Sequence, residues 1–193
     1  MSRSDEILLF WFGTPRDDKA YYDEWHSRWF TPNPQFDQEI RDRFMDDYQF
    51  AARRQLMEWQ ATPSSGLALV IILDQLPRNM FRGEPQAFAT DALAREIATR
   101  LIQTGFDQLL LPIERAFVYM PLMHSETLAD QHSSVMLFQQ LAQEREYLSF
   151  VTYAIKHREV IERFGRFPHR NLILGRPSTP TEVEFLTQPS SSF

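Results

Sequence analysis

Leu67-Ala68-Leu69-Val70-Ile71-Ile72-Leu73 is apolar on every side, and its reading as helix or strand decides the fold. In so short a run, periodicity does not separate a buried strand from a buried helix. The rest of the chain does. No other segment reads as a convincing strand, and a lone buried strand would leave its backbone N–H and C=O groups unpaired. The run is therefore assigned to a helix, following a break at Thr62-Pro63-Ser64-Ser65-Gly66.

Working outward, the flanking segments carry helical periodicity. Ser4 is placed to cap a short helix through Ile7, Leu8 and Trp11, stopped by Gly13 and Pro15. A second helix runs from about Asp18 to Phe30, with Tyr22, Trp25 and Trp29 on one face and Pro32 beyond its end. Asn33-Pro34 combines an N-cap with proline in the first turn, ahead of an apolar stripe of Phe36, Ile40, Phe44, Tyr48 and Ala51. Thr90 is the expected cap of a helix through Leu93, Ile97 and Leu101 that ends at Gly105. Pro112 opens another helix, and Ser125 is the expected cap of the next. A helix of about twenty residues then carries Phe150, Ala154, His157, Ile161 and Phe164 on one stripe, ending at Gly165. Thr179-Pro180-Thr181-Glu182 is a capping box with proline at the first helical position. The expectation is an all-α chain of eight or nine helices packed as antiparallel pairs in one domain, 1–193, with a frayed tail over 187–193.

Composition narrows the partners. A net charge of -6 argues against non-specific nucleic-acid binding, which requires a broad basic face. The absence of cysteine removes disulfides, thiolate metal sites and thiol nucleophiles. No apolar run is long enough to span a bilayer. The N-terminal Met-Ser-Arg-Ser-Asp-Glu-Ile has no secretory pattern, so a cytoplasmic protein without membrane contact is expected. No glycine-rich phosphate loop or other cofactor signature is present, so no cofactor is expected. Oligomeric state is not encoded in any motif.

Against this acidic background, residues 157–171 gather four arginines and two histidines. His157 falls on the inward stripe of its helix, where a histidine ordinarily bonds a carbonyl or carboxylate. Arg166, His169, Arg170 and Asn171 surround the turn after Gly165, and planar guanidinium groups suit bidentate grips on carboxylates or phosphates. A second constellation, Asp74 to Gly83, follows the apolar helix and contains Arg78, Asn79 and Arg82. Asp74 and Arg78 read most simply as an internal pair. The two segments share a pattern, Pro77-Arg78-Asn79 and Pro168-His169-Arg170-Asn171, as if they approach one cavity from two sides. His124, Glu126, Asp130 and His132 are acceptable metal ligands, but their spacing matches no metal motif, and no metal site is expected.

Leu73 to Gly83, Ala87 to Asp91, Glu114 to Pro121, His124-Ser125-Glu126 and His157 through Asn171 together resemble the motifs of the uncharacterised domain-of-unknown-function family 924. That resemblance covers nearly the whole chain. It implies a tetratricopeptide-like stack of helix pairs in a mainly bacterial, cytoplasmic family, and it implies no activity.

Three functions fit the residues. The first is binding of a small anionic ligand or acidic peptide, with Arg78, Asn79, Arg82, Arg166, Arg170 and Asn171 as ligand groups and His169 adding to the grip. It expects these side chains to converge in a pocket with few internal carboxylate partners, and it fails if each arginine already has its own Asp or Glu within hydrogen-bonding distance. The second is an enzyme acting on an anionic substrate, with His157 or His169 as general acid or base and Asp74 or Glu114 orienting it. The third is an interaction scaffold whose basic groove holds an acidic tail.

Overall fold

Local chemistry sets the helix ends. The computed structural model describes residues 1–145, 150–189 and 191, and no strand occurs among them. The expected helical residues just before Phe150 (146–149), and residues 190, 192 and 193 of the expected tail, lie outside the described residues.

Helix α1 (Arg3–Phe12) is capped by Ser2 rather than Ser4: the Ser2 hydroxyl accepts from the Asp5 amide, and Asp5 accepts from the Ser2 amide. Both serines precede the apolar stripe, but only Ser2 lets Asp5 close the reciprocal box. Helices α2 (Lys19–Phe30) and α3 (Pro34–Ala52) start where expected: Asp18 accepts the Tyr21 amide, and Asn33, the expected cap, accepts the Gln35 and Phe36 amides.

The deciding run is helical. Thr62, placed in the expected break, is the N-cap of α4 (Pro63–Val70) and accepts from the Ser65 amide. The rod continues through a π turn (Ile71–Gln75) into α5 (Leu76–Met80), and every residue from 66 to 77 is buried. Pro77 supplies the reason for the π turn. Proline lacks an N–H and its ring crowds the carbonyl four residues earlier, here that of Leu73. The wider turn relieves the crowding, and the Leu73 carbonyl accepts instead from Thr90 Oγ1 at 2.6 Å. Thr90 therefore precedes α6 (Asp91–Gln103) without capping it through its side chain.

Helix α7 (Pro112–Met123) leads through residues 124–127 into α8 (Leu128–Glu144), followed by α9 (Phe150–Phe164) and the capped α10 (Pro180–Leu186). Ser125 stands two residues before the α8 cap position, Thr127; its hydroxyl accepts the Thr127 amide and donates to Asp130. With α4, the π turn and α5 taken as one rod, the described residues form nine helical rods, in agreement with the sequence.

The α4 rod is the axis of the packing. Helices α1 and α6 lie against α4, α3 lies against α5, and α7 contacts both α4 and α6. Helix α8 packs on α7 and α9 on α8, a succession compatible with stacked helix pairs. Gly66 is where α6 comes closest: a Cβ there would sit 2.6 Å from a Leu101 methyl. Trp11, Phe12, Phe44, Phe117 and Phe138 fill the core, with Phe12 and Phe117 edge to face at 5.2 Å. No helix among the described residues is long and apolar enough to cross a membrane.

Candidate functional site

The two Pro/Arg/Asn segments do face one cavity. It is a cleft of about 680 Å³ between the end of α2, the π turn and α5, the end of α7, and α9 with the short turn Pro168–Arg170. From the central rod come Gln75, Arg78, Asn79 and Arg82; from the later segments come His124, Lys156, His157, His169 and Arg170. Trp29, Phe30, Phe88 and Phe150 give it aromatic walls. No aspartate or glutamate lines it among the described residues.

Each arginine's partners fix its role. Arg82 donates twice to Asp37, at 2.8 Å each, and Asn79 donates to the same carboxylate at 2.7 Å. Asp37 is buried, and although burial alone would raise its pKa, Arg82 and Asn79 hold it below the usual carboxylate range. Arg82 and Asn79 thus touch the cleft while committed to a scaffold carboxylate that ties α5 to α3.

Arg78 and Arg170 differ, because they share one carboxylate. Asp91 lies 2.8 Å from Arg78 and 3.3 Å from Arg170. Arg170 is buried between the rings of Phe88 and Phe167, at 4.8 and 4.5 Å. Burial, then the like charge of Arg78, pushes its pKa down to about 10, which leaves it cationic at neutral pH. Its Nε is enclosed and has no hydrogen-bond partner among the described residues. The expected Asp74–Arg78 pair does not form: Arg78 turns to Asp91, and Asp74 turns to α7.

Arg166 and Asn171 do not line the cleft. Arg166 grips Glu182 at 2.6 and 2.8 Å, and that grip is the main reason the Glu182 carboxyl falls to about 2. Fully buried Asn171 donates to Ser178 and accepts from Arg176. These two residues lock the C-terminal segment behind the site. Every one of the four arginines therefore meets a carboxylate. This counts against Arg82 and Arg166 as ligand groups, and leaves Arg78 and Arg170 with one negative charge between them.

The histidines are arranged unlike the sequence expectation. His157 is buried, and its Nδ1 donates to the Tyr153 carbonyl at 2.8 Å. Burial, reinforced by His124, lowers its pKa to about 3. Burial and then Arg170 lower His169 to about 4. Both are neutral near pH 7, so His169 adds no charge to the grip.

Neither is oriented by Asp74 or Glu114. The wholly buried Asp74 instead holds His124 Nδ1 at 2.8 Å, with Gln75 donating to its other oxygen at 2.6 Å. Burial would raise the Asp74 pKa, but the facing His124, with Arg78 and Gln75, brings it below the usual value. Glu114 accepts the Leu111 amide at the start of α7.

Sequence reasoning missed His124 as an acid–base candidate, and it missed Lys156. Its four acceptable metal ligands are dispersed: Glu126 binds Arg176, Asp130 binds Arg95, His132 faces Glu162, and His124 faces Asp74. No group of three or more metal-ligating side chains occurs among the described residues.

Comparison with known proteins adds kinship without chemistry. Residues 7–190 match the family described as bacterial protein of unknown function, DUF924. A solved structure of a protein of unknown function from Agrobacterium tumefaciens is 40% identical and superposes with a TM-score of 0.82, over 95% of this chain and 96% of that one. No functionally curated protein matches the chain.

Proposed function

Because the chain belongs to the bacterial DUF924 family of unknown function, we propose a function from the chemistry of the cleft itself: it binds a small anion bearing a flat apolar body. One observation carries this reading. Besides Arg82, which Asp37 neutralises, the cations Arg78, Arg170 and Lys156 line a cleft to which no described residue contributes a carboxylate.

Asp91 offsets one of those charges from behind. Lys156 has no ion-pair partner among the described residues. A cationic, partly desolvated wall attracts a small anion while the acidic exterior repels polyanions. Arg170, held between two rings and lining the cleft, supports a carboxylate or phosphate oxygen as the group its guanidinium would bind. The aromatic walls suit an apolar body, and the volume lies in the range of small-molecule sites, which favours a compact ligand over an acidic peptide tail.

Calorimetric titration tests this with phenyl phosphate and inorganic phosphate as probes. Phenyl phosphate should bind the tighter of the two by about tenfold, reflecting burial of its ring. Arg78→Gln and Lys156→Ala should each weaken it several-fold. Equal affinity in wild type and both variants would place the anion elsewhere.

A further inference from the structure

Resting on the anion-binding reading, we infer that His124, oriented by Asp74, is the acid–base group of the cleft, acting on a carbon acid next to the carbonyl of a bound aromatic 2-oxo acid. The geometry begins with the carboxylate. Asp74 is wholly buried by the π turn, and its two oxygens are occupied by His124 Nδ1 at 2.8 Å and Gln75 Nε2 at 2.6 Å. An ionised carboxylate there fixes the proton on Nδ1 and leaves Nε2 as the basic nitrogen. Nε2 has no hydrogen-bond partner among the described residues and is not among the enclosed unpaired atoms, and His124 lines both this cleft and a smaller neighbouring pocket that Asp91, Glu126 and Arg170 also line.

The surroundings select the step. His157, with its ring centre 6.3 Å away, has its own Nδ1 committed to a backbone carbonyl, so the carboxylate orients His124 alone of the pair. The described lining residues include no cysteine, serine or carboxylate, and the hydroxyl and amine groups they do include are those of Thr31, Tyr153 and Lys156. An oriented base beside Arg78 and Arg170 fits proton abstraction with negative charge growing on a substrate oxygen. In that step Nε2 takes a proton from the carbon next to the carbonyl. The C–H electron pair becomes the C=C bond, and the carbonyl pair moves onto oxygen as an enolate facing the arginines. Return of the proton from the imidazolium to carbon restores both partners, so nothing is oxidised or reduced.

The test is deuterium exchange into the benzylic position of phenylpyruvate in heavy water, followed by proton NMR beside a binding titration of the same compound. Wild type should accelerate exchange above the buffer rate. His124→Gln should lose ~100-fold or more of that acceleration, the usual worth of a positioned base. Asp74→Asn should lower exchange and shift its pH profile while phenylpyruvate affinity stays within about twofold, since Asp74 positions the base and does not touch the ligand; circular dichroism checks that both variants fold. Binding that responds to Arg78→Gln, with exchange no faster than buffer, overturns the acid–base inference and leaves the anion site standing. Absence of phenylpyruvate binding overturns the acid–base inference, and absence of phenyl phosphate binding as well overturns both. Exchange that survives in His124→Gln assigns the base elsewhere.

Discussion

Arg78 and Arg170 meet at a single carboxylate: Asp91 lies 2.8 Å from the first and 3.3 Å from the second. One guanidinium comes from the central rod and the other from the turn after α9, so two parts of the chain distant in sequence are joined by like charges held around one anion. The cluster carries a net positive charge where the cleft opens, and burial amplifies it.

Asp91→Asn should therefore separate stability from binding. Removing the carboxylate leaves two close cations unneutralised, so the free protein should lose up to ~3–5 kcal/mol of unfolding free energy, the cost of breaking a buried pair from one side. Phenyl phosphate should bind more tightly to the same variant, because the ligand then supplies the missing charge. Urea unfolding with and without the probe measures both. Weaker binding in the variant would mean that Asp91 shapes the site rather than offsetting it.

Thr90→Val keeps shape and deletes the donor that reaches the Leu73 carbonyl. That carbonyl is buried beside Pro77, which offers no N–H, so the substitution should cost ~1–3 kcal/mol. Thr104→Val, whose hydroxyl bonds α6 carbonyls at a helix end near solvent, is the comparison and should cost less than half as much. Equal costs would show that the π turn does not depend on Thr90.

Acid should loosen the protein through its buried histidines. His157 and His169 titrate in the folded state at about 3 and about 4, below the ordinary 6.5. Each therefore binds more proton when unfolded across that interval. Their stabilising contribution is intact above 6.5 and is lost as pH falls towards 3–4, at up to ~1.4 kcal/mol per pH unit for each group. His157→Gln should flatten the slope of unfolding free energy between pH 6 and pH 4. An unchanged slope would put the acid sensitivity elsewhere.

Arg166→Ala should act on the scaffold alone. It releases Glu182 and the capping box of α10, so hydrogen exchange should rise in residues 179–186. Affinity for phenyl phosphate should stay within about twofold. A large loss of affinity would return Arg166 to the ligand site.

How much was legible follows from the range of each interaction. The caps at Asn33 and Thr179 were readable because donor and acceptor lie within three residues. The apolar run was readable as helix because the chain offered it no strand partner. Ser4 was expected as the cap of α1 but lies inside the helix, because Ser2 also precedes the stripe and only the reciprocal bonds with Asp5 choose it. The convergence of Arg78 with His169 and Arg170 was visible as a repeated Pro/Arg/Asn pattern.

Partner choice was not readable. Asp74 had a cation four residues away on the same rod, yet the π turn aims it at His124 across the fold. Asp91, which decides the charge of the site, looked like an ordinary first-turn carboxylate of α6. Arg166 and Asn171 shared the composition of the site but face the segment behind it. Composition located the cluster; only tertiary geometry divided it into cleft and scaffold.

The central claim is that the cleft between α5 and α9 takes an anion on Arg78, Arg170 and Lys156. Side-chain NMR of the arginine Nε–H groups and histidine rings during a phenyl phosphate titration tests it most directly. Saturable shifts at Arg170 Nε–H and His124, with Arg166 and His132 unmoved, are the predicted result. Shifts confined to Arg166 or His132, or none up to millimolar probe, would contradict it.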